Sequence, residues 1–406
     1  MKRRLSIAAV VVLCLTLVIG IACGGGEGGE GEEEEEAVTE LKFGFGLNFT
    51  GLAGAAIGIP ARDAWNLINE EIGIFEVGGK PCRWKLIFEE NGFTSAGGVA
   101  SATKLVHEHD VDIMWQFGTD ASMAAYPICH EVKMILDSSG LAAEMLGPDK
   151  PYLFQVAAHW NFYFIHFFDW LTREHPEVQC VVCSYIDDLM GHSLCDPIST
   201  ICEYHGLEHS NVWFPPGTVE YFPTATKIMA EDPDLVHVSQ TMMDELWDLG
   251  YEGLFFYAAW DEAQWVTPDW GKASGHVYVI GPHLYGPWPE VQSFRERFEE
   301  AYGYPAGTWP TYTSQVLLVW TEVLKKAGTA DFENDLDKIM ETAETGIFDT
   351  PYGPAFLGGE EINGIGHCLI TENAINVIAG PGDYPLVELM TAEEIQALSL
   401  EVYGGQ

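Results

Sequence analysis

Basic residues are scarce in this sequence. The 406-residue chain carries 19 Lys and Arg against 61 Asp and Glu, a formal charge of −42 at pH 7. A polyanion is held by clustered Lys and Arg, so nucleic acid is excluded as a partner. Charge of this size favours solubility and leaves the fold open. Catalytic signatures are missing as well: there is no P-loop, no GxSxG and no HExxH. "GFGLNFTG" (residues 44–51) lies between a strand and a helix, as a dinucleotide-binding turn does, but Phe49 stands where the third glycine belongs. No cofactor is expected. Nothing pairs a nucleophile with a base, so binding without turnover is expected rather than catalysis.

Lys2, Arg3 and Arg4 precede an apolar run, residues 5–20, that ends in the small residues before Cys23. A basic n-region, an apolar stretch and a small-residue end form a secretory signal peptide. The alternative is a plain signal-anchor helix, because the run is near the lower limit for spanning a bilayer. "GIAC" (residues 20–23) resembles a bacterial lipobox, which would make Cys23 the lipidated residue. Residues 24–36 are only Gly and Glu and have nothing to bury, so residues 24–40 are expected to be a disordered tether.

Cysteine is sparse and odd in number once Cys14 and Cys23 are assigned to the signal. Cys82, Cys129, Cys180, Cys183, Cys195, Cys202 and Cys368 remain, so at least one thiol stays unpaired, with the pairing open. "QCVVC" reads as a buried strand whose two sulfurs point to opposite faces, so core packing is expected rather than a redox or metal pair. A CxxC oxidoreductase would need an accessible, low-pKa thiol at Cys180 or Cys183. Cys195 and Cys202 are seven apart on a helix, about 10 Å along its axis, too far for a mutual disulfide. His107 with His109 and His205 with His209 have no third ligand near in sequence, so no metal site is expected.

What is abundant is alternation. "LKFGFGLNF", "RWKLIFEE", "VDIMWQFG" and "KMILDSS" are strand-like and are separated by "ARDAWNLINEEIGIF", "AGGVASATKLVHEH" and "MAAYPICHE", which are helical. Ala61, Ala64, Trp65 and Ile68 make one apolar stripe. A second βα series runs from "QCVVCSYIDD" to "GHVYVIGP", followed by a long helix pair and Gly-rich β-like segments. Helix-length crossovers predict an α/β fold of parallel, doubly wound sheets in two lobes. Ligands then bind beyond the strand carboxyl ends. The turns there are "LNFTG", "GTDAS", "DSSG", "AAHW", "SYIDDLMG", "SQT" and "AAWDE". Their hydroxyls and helix N-terminal N–H groups suit an anion, and their Asp and Trp suit an ammonium or apolar portion.

From Leu41 onward the chain resembles the solute-binding proteins of ABC importers, in the type I periplasmic-binding-protein fold, nearest the branched-chain (Leu/Ile/Val) amino-acid binding group. The likeness lies in "LNFTGLAGAAIGIPARDAWNLINEEIGIFEVGGKPCRWKLIFEENG", "FGTDAS", "ILDSSG", "YIDDLMGHS" and "GYPAGTWPTYTSQVLLVWTEVLKKAG". It implies a monomer of two lobes joined by three crossovers, near residues 157–159, 281–283 and 350–353. The first lobe would be 41–157 with 283–349 and the second 158–282 with 350–398, leaving 399–406 as a tail. It further implies capture of a small organic molecule (an amino acid, or an aromatic or aliphatic acid or amide) for an ABC permease, on a bilayer reached through Cys23. The same fold would serve a ligand sensor reporting to a membrane receptor.

Carried over by position, Ser122 matches the serine that holds a ligand carboxylate, and Ser138, Ser139 and Gly140 match the next ligand loop. Asn48, Thr50, Gly118, Thr119, Asp120, His159, Trp160, Tyr185, Asp187, Gln240 and Tyr285 complete the expected site. Met190 replaces the family's covering tyrosine. Trp260 stands where an ammonium-binding acid belongs, with Asp261 one step away, and Asp120 adds an acid to a neutral loop. The ligand therefore stays open, and Trp160, Trp260, Trp265 and Trp270 permit a larger or aromatic one.

Overall fold

The computed structural model describes residues 37–51, 54–140, 145–156, 160–258, 262 and 269–404. The first sheet is built around β1 (Thr39–Leu47), whose two faces differ in size. Leu41, Phe43, Phe45 and Leu47 alternate along it and are all buried, with Phe45 against Trp65 at 4.2 Å. Gly44 and Gly46 occupy the other face, where a Cβ on Gly46 would stand 2.0 Å from Gln116 Oε1. Gly46 thus admits the Gln116 side chain from the neighbouring strand, and Gly44 lies against Leu105 and Val111.

β2 (Phe75–Val77), β3 (Lys80–Glu90), β4 (Ile113–Gln116), β5 (Leu136–Ser138) and β6 (Leu153–Phe154) complete this sheet in the order β2-β3-β1-β4-β5-β6. All its pairings are parallel except the β2–β3 hairpin. The helix Ile59–Ile72 buries the Ala61, Ala64, Trp65, Ile68 stripe, and Trp65 Nε1 donates to the Thr313 carbonyl at 2.8 Å.

The second sheet contains β7 (Cys180–Cys183), β8 (Glu208–Asn211), β9 (Leu235–His237), β10 (Leu254–Ala258) and β11 (Val277–Gly281), all parallel. Between it and the first come β12 (Ile347–Thr350), β13 (Gly353–Gly358) and β14 (Cys368–Ile370), a three-stranded antiparallel sheet. β15 (Asn373–Val377) and β16 (Leu386–Met390) extend the second sheet antiparallel, giving β16-β15-β11-β10-β9-β7-β8. The α/β class and the two parallel lobes are as expected.

Three boundaries differ. Thr39 and Glu40 belong to β1, paired with Cys82 and Arg83, so the expected tether stops short of them. Residues 350–353 form the tight turn of the β12–β13 hairpin, and β12 and β13 pack on the first-lobe helices Gln315–Ala327 and Leu336–Thr345. The chain enters the second sheet only after Ile370, at residues 371–372. Residues 399–403 are no tail: they finish the helix Ala392–Tyr403, with Ser399, Val402 and Tyr403 buried.

Cys183 is buried as expected, but it is disulfide-bonded to Cys195 on the helix Leu189–His205, with Cα atoms 5.6 Å apart. Strand periodicity tests a bond within CxxC and is blind to a partner on the helix above. Cys82, Cys129, Cys180, Cys202 and Cys368 form no disulfide among the described residues. Among the described residues no helix is long and apolar enough to cross a membrane.

Candidate functional site

The parallel ladders bring the strand carboxyl ends of the first lobe to one edge: Leu47 lies opposite Glu90, Gly46 opposite Gln116, and Gln116 opposite Ser138. The turns that follow carry Asn48, Asn91, Gly118 and Ser139. Asn48 is buried, and its side-chain oxygen accepts from Thr50 N at 3.0 Å, which shapes the first turn. Gly58 is required beneath it, because a Cβ there would stand 1.6 Å from the Asn48 carbonyl oxygen. Thr50 is exposed.

Gly118 has φ 91°, a left-handed conformation that suits glycine. The helix Thr119–Glu131 starts immediately after it, so Thr119, Asp120 and Ser122 stand in a first helical turn. The partial positive charge of this helix N-terminus favours an anion. Ser122 is fully buried and its hydroxyl is already committed. It donates to the Gly118 carbonyl at 2.7 Å and accepts from the Ser138 hydroxyl at 2.6 Å. Ser138 in turn accepts from Gly140 N at 2.9 Å. Ser122 and Ser138 thus lock the two turns together through their hydroxyls. Thr119, Ser139 and Gly140 flank the edge itself, with Asp120 exposed at its rim. Ser139 Oγ accepts from Gly118 N at 3.4 Å, and the Gly140 carbonyl accepts from Gln155 Nε2 at 2.7 Å.

In the second lobe, Trp160 opens the helix Trp160–Glu174 and packs edge-on to Phe164. Tyr185 follows β7 and is buried, with no hydrogen-bond partner for its hydroxyl among the described residues; burial drives its pKa well above the ordinary value. Its ring lies 5.0 Å from that of His237, the last residue of β9. His237 Nδ1 donates to the Phe256 carbonyl at 3.0 Å, and burial pushes its pKa down to about 4. Gln240 begins the helix Gln240–Asp248. Asp187 and Met190 are exposed, and Asp187 pairs with His192 at 3.1 Å. Tyr285 stacks on Tyr384 at 3.8 Å, and its hydroxyl accepts from Glu262 N at 3.0 Å. His159, Trp260 and Asp261 lie outside the described residues, as does Cys23.

Several residues at this edge escaped the sequence reading. Asn91 is fully buried and its amide reaches the Gly46 and Phe117 carbonyls at 3.0 and 2.9 Å. Phe93, Phe117 and Trp309 form an aromatic chain beside Gly118. Phe93 and Phe117 follow the strands β3 and β4, the one signal the sequence offered, and Trp309, within the helix Thr308–Thr313, had none. A cavity of about 900 Å³ lies elsewhere, between β13 and the helix Ala392–Tyr403. Its Glu361 already accepts from Gln396 at 3.0 Å and from the Ser399 hydroxyl. Among the described residues no cluster of His, Cys, Asp and Glu could hold a metal.

Two parallel-sheet lobes with polar turns at the strand carboxyl ends place a ligand-binding edge on each lobe. The family model for periplasmic binding proteins matches residues 40–371. The chain belongs to that family, whose members bind substrates without transforming them. No curated protein matches it. Solved structures share the fold at low identity. A substrate-binding protein from Sphaerobacter thermophilus is 18% identical, with TM-score 0.73 over 89% of this chain and 100% of that one. A Rhodopseudomonas palustris solute-binding protein in complex with 3,4-dihydroxybenzoic acid is 16% identical, with TM-score 0.72 over 87% and 98%. A leucine-binding protein from Thermotoga maritima is also 16% identical, with TM-score 0.70 over 87% and 99%.

Proposed function

We propose that this protein captures a small organic carboxylate between its lobes and delivers it to an ABC importer permease. It does so as an exported monomer held to the membrane by a lipid on Cys23. One observation carries the proposal: the Gly118–Ser122 and Ser138–Gly140 turns, cross-linked by buried hydroxyls, frame a helix N-terminus at the strand carboxyl edge. A prebuilt anion cradle serves capture. The structural relatives, one holding a dihydroxybenzoate and one a leucine-binding protein, support a carboxylate of either aliphatic or aromatic type.

The test is a thermal-shift screen of the purified protein with amino acids, aromatic carboxylates, polyamines and small amides. A ligand at 100 times its dissociation constant adds about 2.7 kcal/mol, enough to raise the midpoint by at least about a degree or two. Native mass spectrometry checks for a ligand retained from the host. A panel without effect on a ligand-free protein refutes solute capture. Cys23 lipidation is read from the mass of the membrane-extracted N-terminal peptide.

A further inference from the structure

Phe93 is the strangest residue at the binding edge. It is a bulky aromatic at φ 56°, in the left-handed region that such side chains rarely adopt and that costs conformational energy. It is also 42% exposed, so core packing does not account for that conformation. The chain enforces it: Asn91 Oδ1 accepts from Phe93 N at 3.0 Å, while the Asn91 amide is tied to Gly46 and Phe117 from beneath. The outcome is a ring laid directly on Gly118, where a Cβ would meet Phe93 Cε2 at 2.6 Å. The ring of Phe117, itself buried, lies 5.1 Å from Phe93, and Trp309 stands edge-on to Phe117 at 6.2 Å.

We infer that Phe93, backed by Phe117 and Trp309, is the residue that selects the ligand, and that the ligand is a planar aromatic carboxylate. This rests on the capture function proposed above and names its substrate class. The carboxylate lies toward the N-terminus of the helix that follows Gly118, and the ring plane packs against Phe93 in the offset or edge-on geometry aromatic pairs prefer. An aliphatic amino acid leaves the exposed ring face without a partner and gains nothing from the strained turn. Phe93 acts by shape, so a branched aliphatic side chain of similar bulk does not replace it.

The test uses the full protein with benzoate and L-leucine as probes, titrated by calorimetry, on wild type, F93L and F93G. F93L keeps apolar bulk without a flat face, and F93G removes the left-handed strain. The expected result is that wild type prefers benzoate over leucine by tenfold or more. Both variants lose tenfold or more for benzoate, leucine affinity stays within about twofold, and F93G melts no lower than F93L. Benzoate affinity unchanged in both variants overturns the inference, as does a wild type that prefers leucine, and either result leaves solute capture standing. A ligand-free wild type that binds neither probe nor any other small carboxylate overturns both.

Discussion

Tyr163 donates its hydroxyl to the hydroxyl of Tyr312 at 3.3 Å, and the two residues come from different lobes. Tyr163 lies on the helix Trp160–Glu174, which packs on the second sheet, and Tyr312 on the helix Thr308–Thr313, which packs on the helix Ile59–Ile72 of the first lobe. Both rings are buried, and burial holds both phenols well above their ordinary pKa. Gly281, at the end of β11, lets the chain pass this point, since a Cβ there would stand 2.8 Å from the Tyr163 ring.

Removing one hydroxyl strands the other in a dry site, which costs about 1–3 kcal/mol, whereas removing both is nearly neutral. Urea melts should therefore show Y163F or Y312F less stable than wild type and the double variant largely restored. Additive losses in the double variant would mean that the pair is not coupled.

Asp137 is fully buried beneath the Ser138–Gly140 turn. Its carboxylate accepts from Ser138 N, Val156 N and Trp320 Nε1 at 2.7, 2.9 and 2.9 Å. Burial outweighs these bonds and pushes its pKa up to about 7. Between about pH 4 and 7 the folded state thus holds a proton that the unfolded state has released. This contribution to stability is largest at the acid end and is lost as pH rises through 7. D137N, which also sets an amide against an N–H, should be less stable overall and should lack that slope. Paired urea melts from pH 4.5 to 8 check it: a wild-type-minus-variant difference independent of pH contradicts the assignment.

Ser122 links two turns, so S122A should do more than delete one bond. It leaves the Ser138 hydroxyl without its acceptor and frees Gly118 and Gly140 to separate. A loss of about 1–2 kcal/mol is expected, with weaker ligand binding through misplaced N–H groups. S138A should resemble it, and the two effects should be far from additive because they share one bond. Calorimetric titration with the ligand identified by screening measures the second effect; full affinity in S122A would show that the strut is dispensable.

The Cys183–Cys195 bond closes a short loop across β7 and the helix above it. For a loop of this size the chain-entropy account gives about 3 kcal/mol. C183A/C195A should lose about that much, and mild reductant should bring wild type to the same level. Alkylation after denaturation without reductant should modify Cys180 and Cys202 and spare Cys183 and Cys195. Labelling of all four would show the bond is absent in solution.

Much of this protein follows from local pattern. The period-2 apolar face of β1, with glycines between, and the Ala61–Ala64–Trp65–Ile68 stripe determine strand and helix because each has one face that must be buried. Composition alone excluded polyanions, and the run before Cys23 alone carries the expectation of export. Tertiary structure decided the rest, since those outcomes depend on partners far away in the chain. Residues 350–353 looked like a crossover and form a hairpin turn, because β13 finds β12 before the chain leaves the first lobe. Ser122, which matches a ligand-loop serine, also ties two turns together, because Ser138 lies within reach of it and only the sheet brings them together. Phe93 carried no signal in the sequence beyond its place after a strand. Only the fold puts Asn91, Gly118 and Phe117 around it, and that enclosure holds its ring at the mouth of the site.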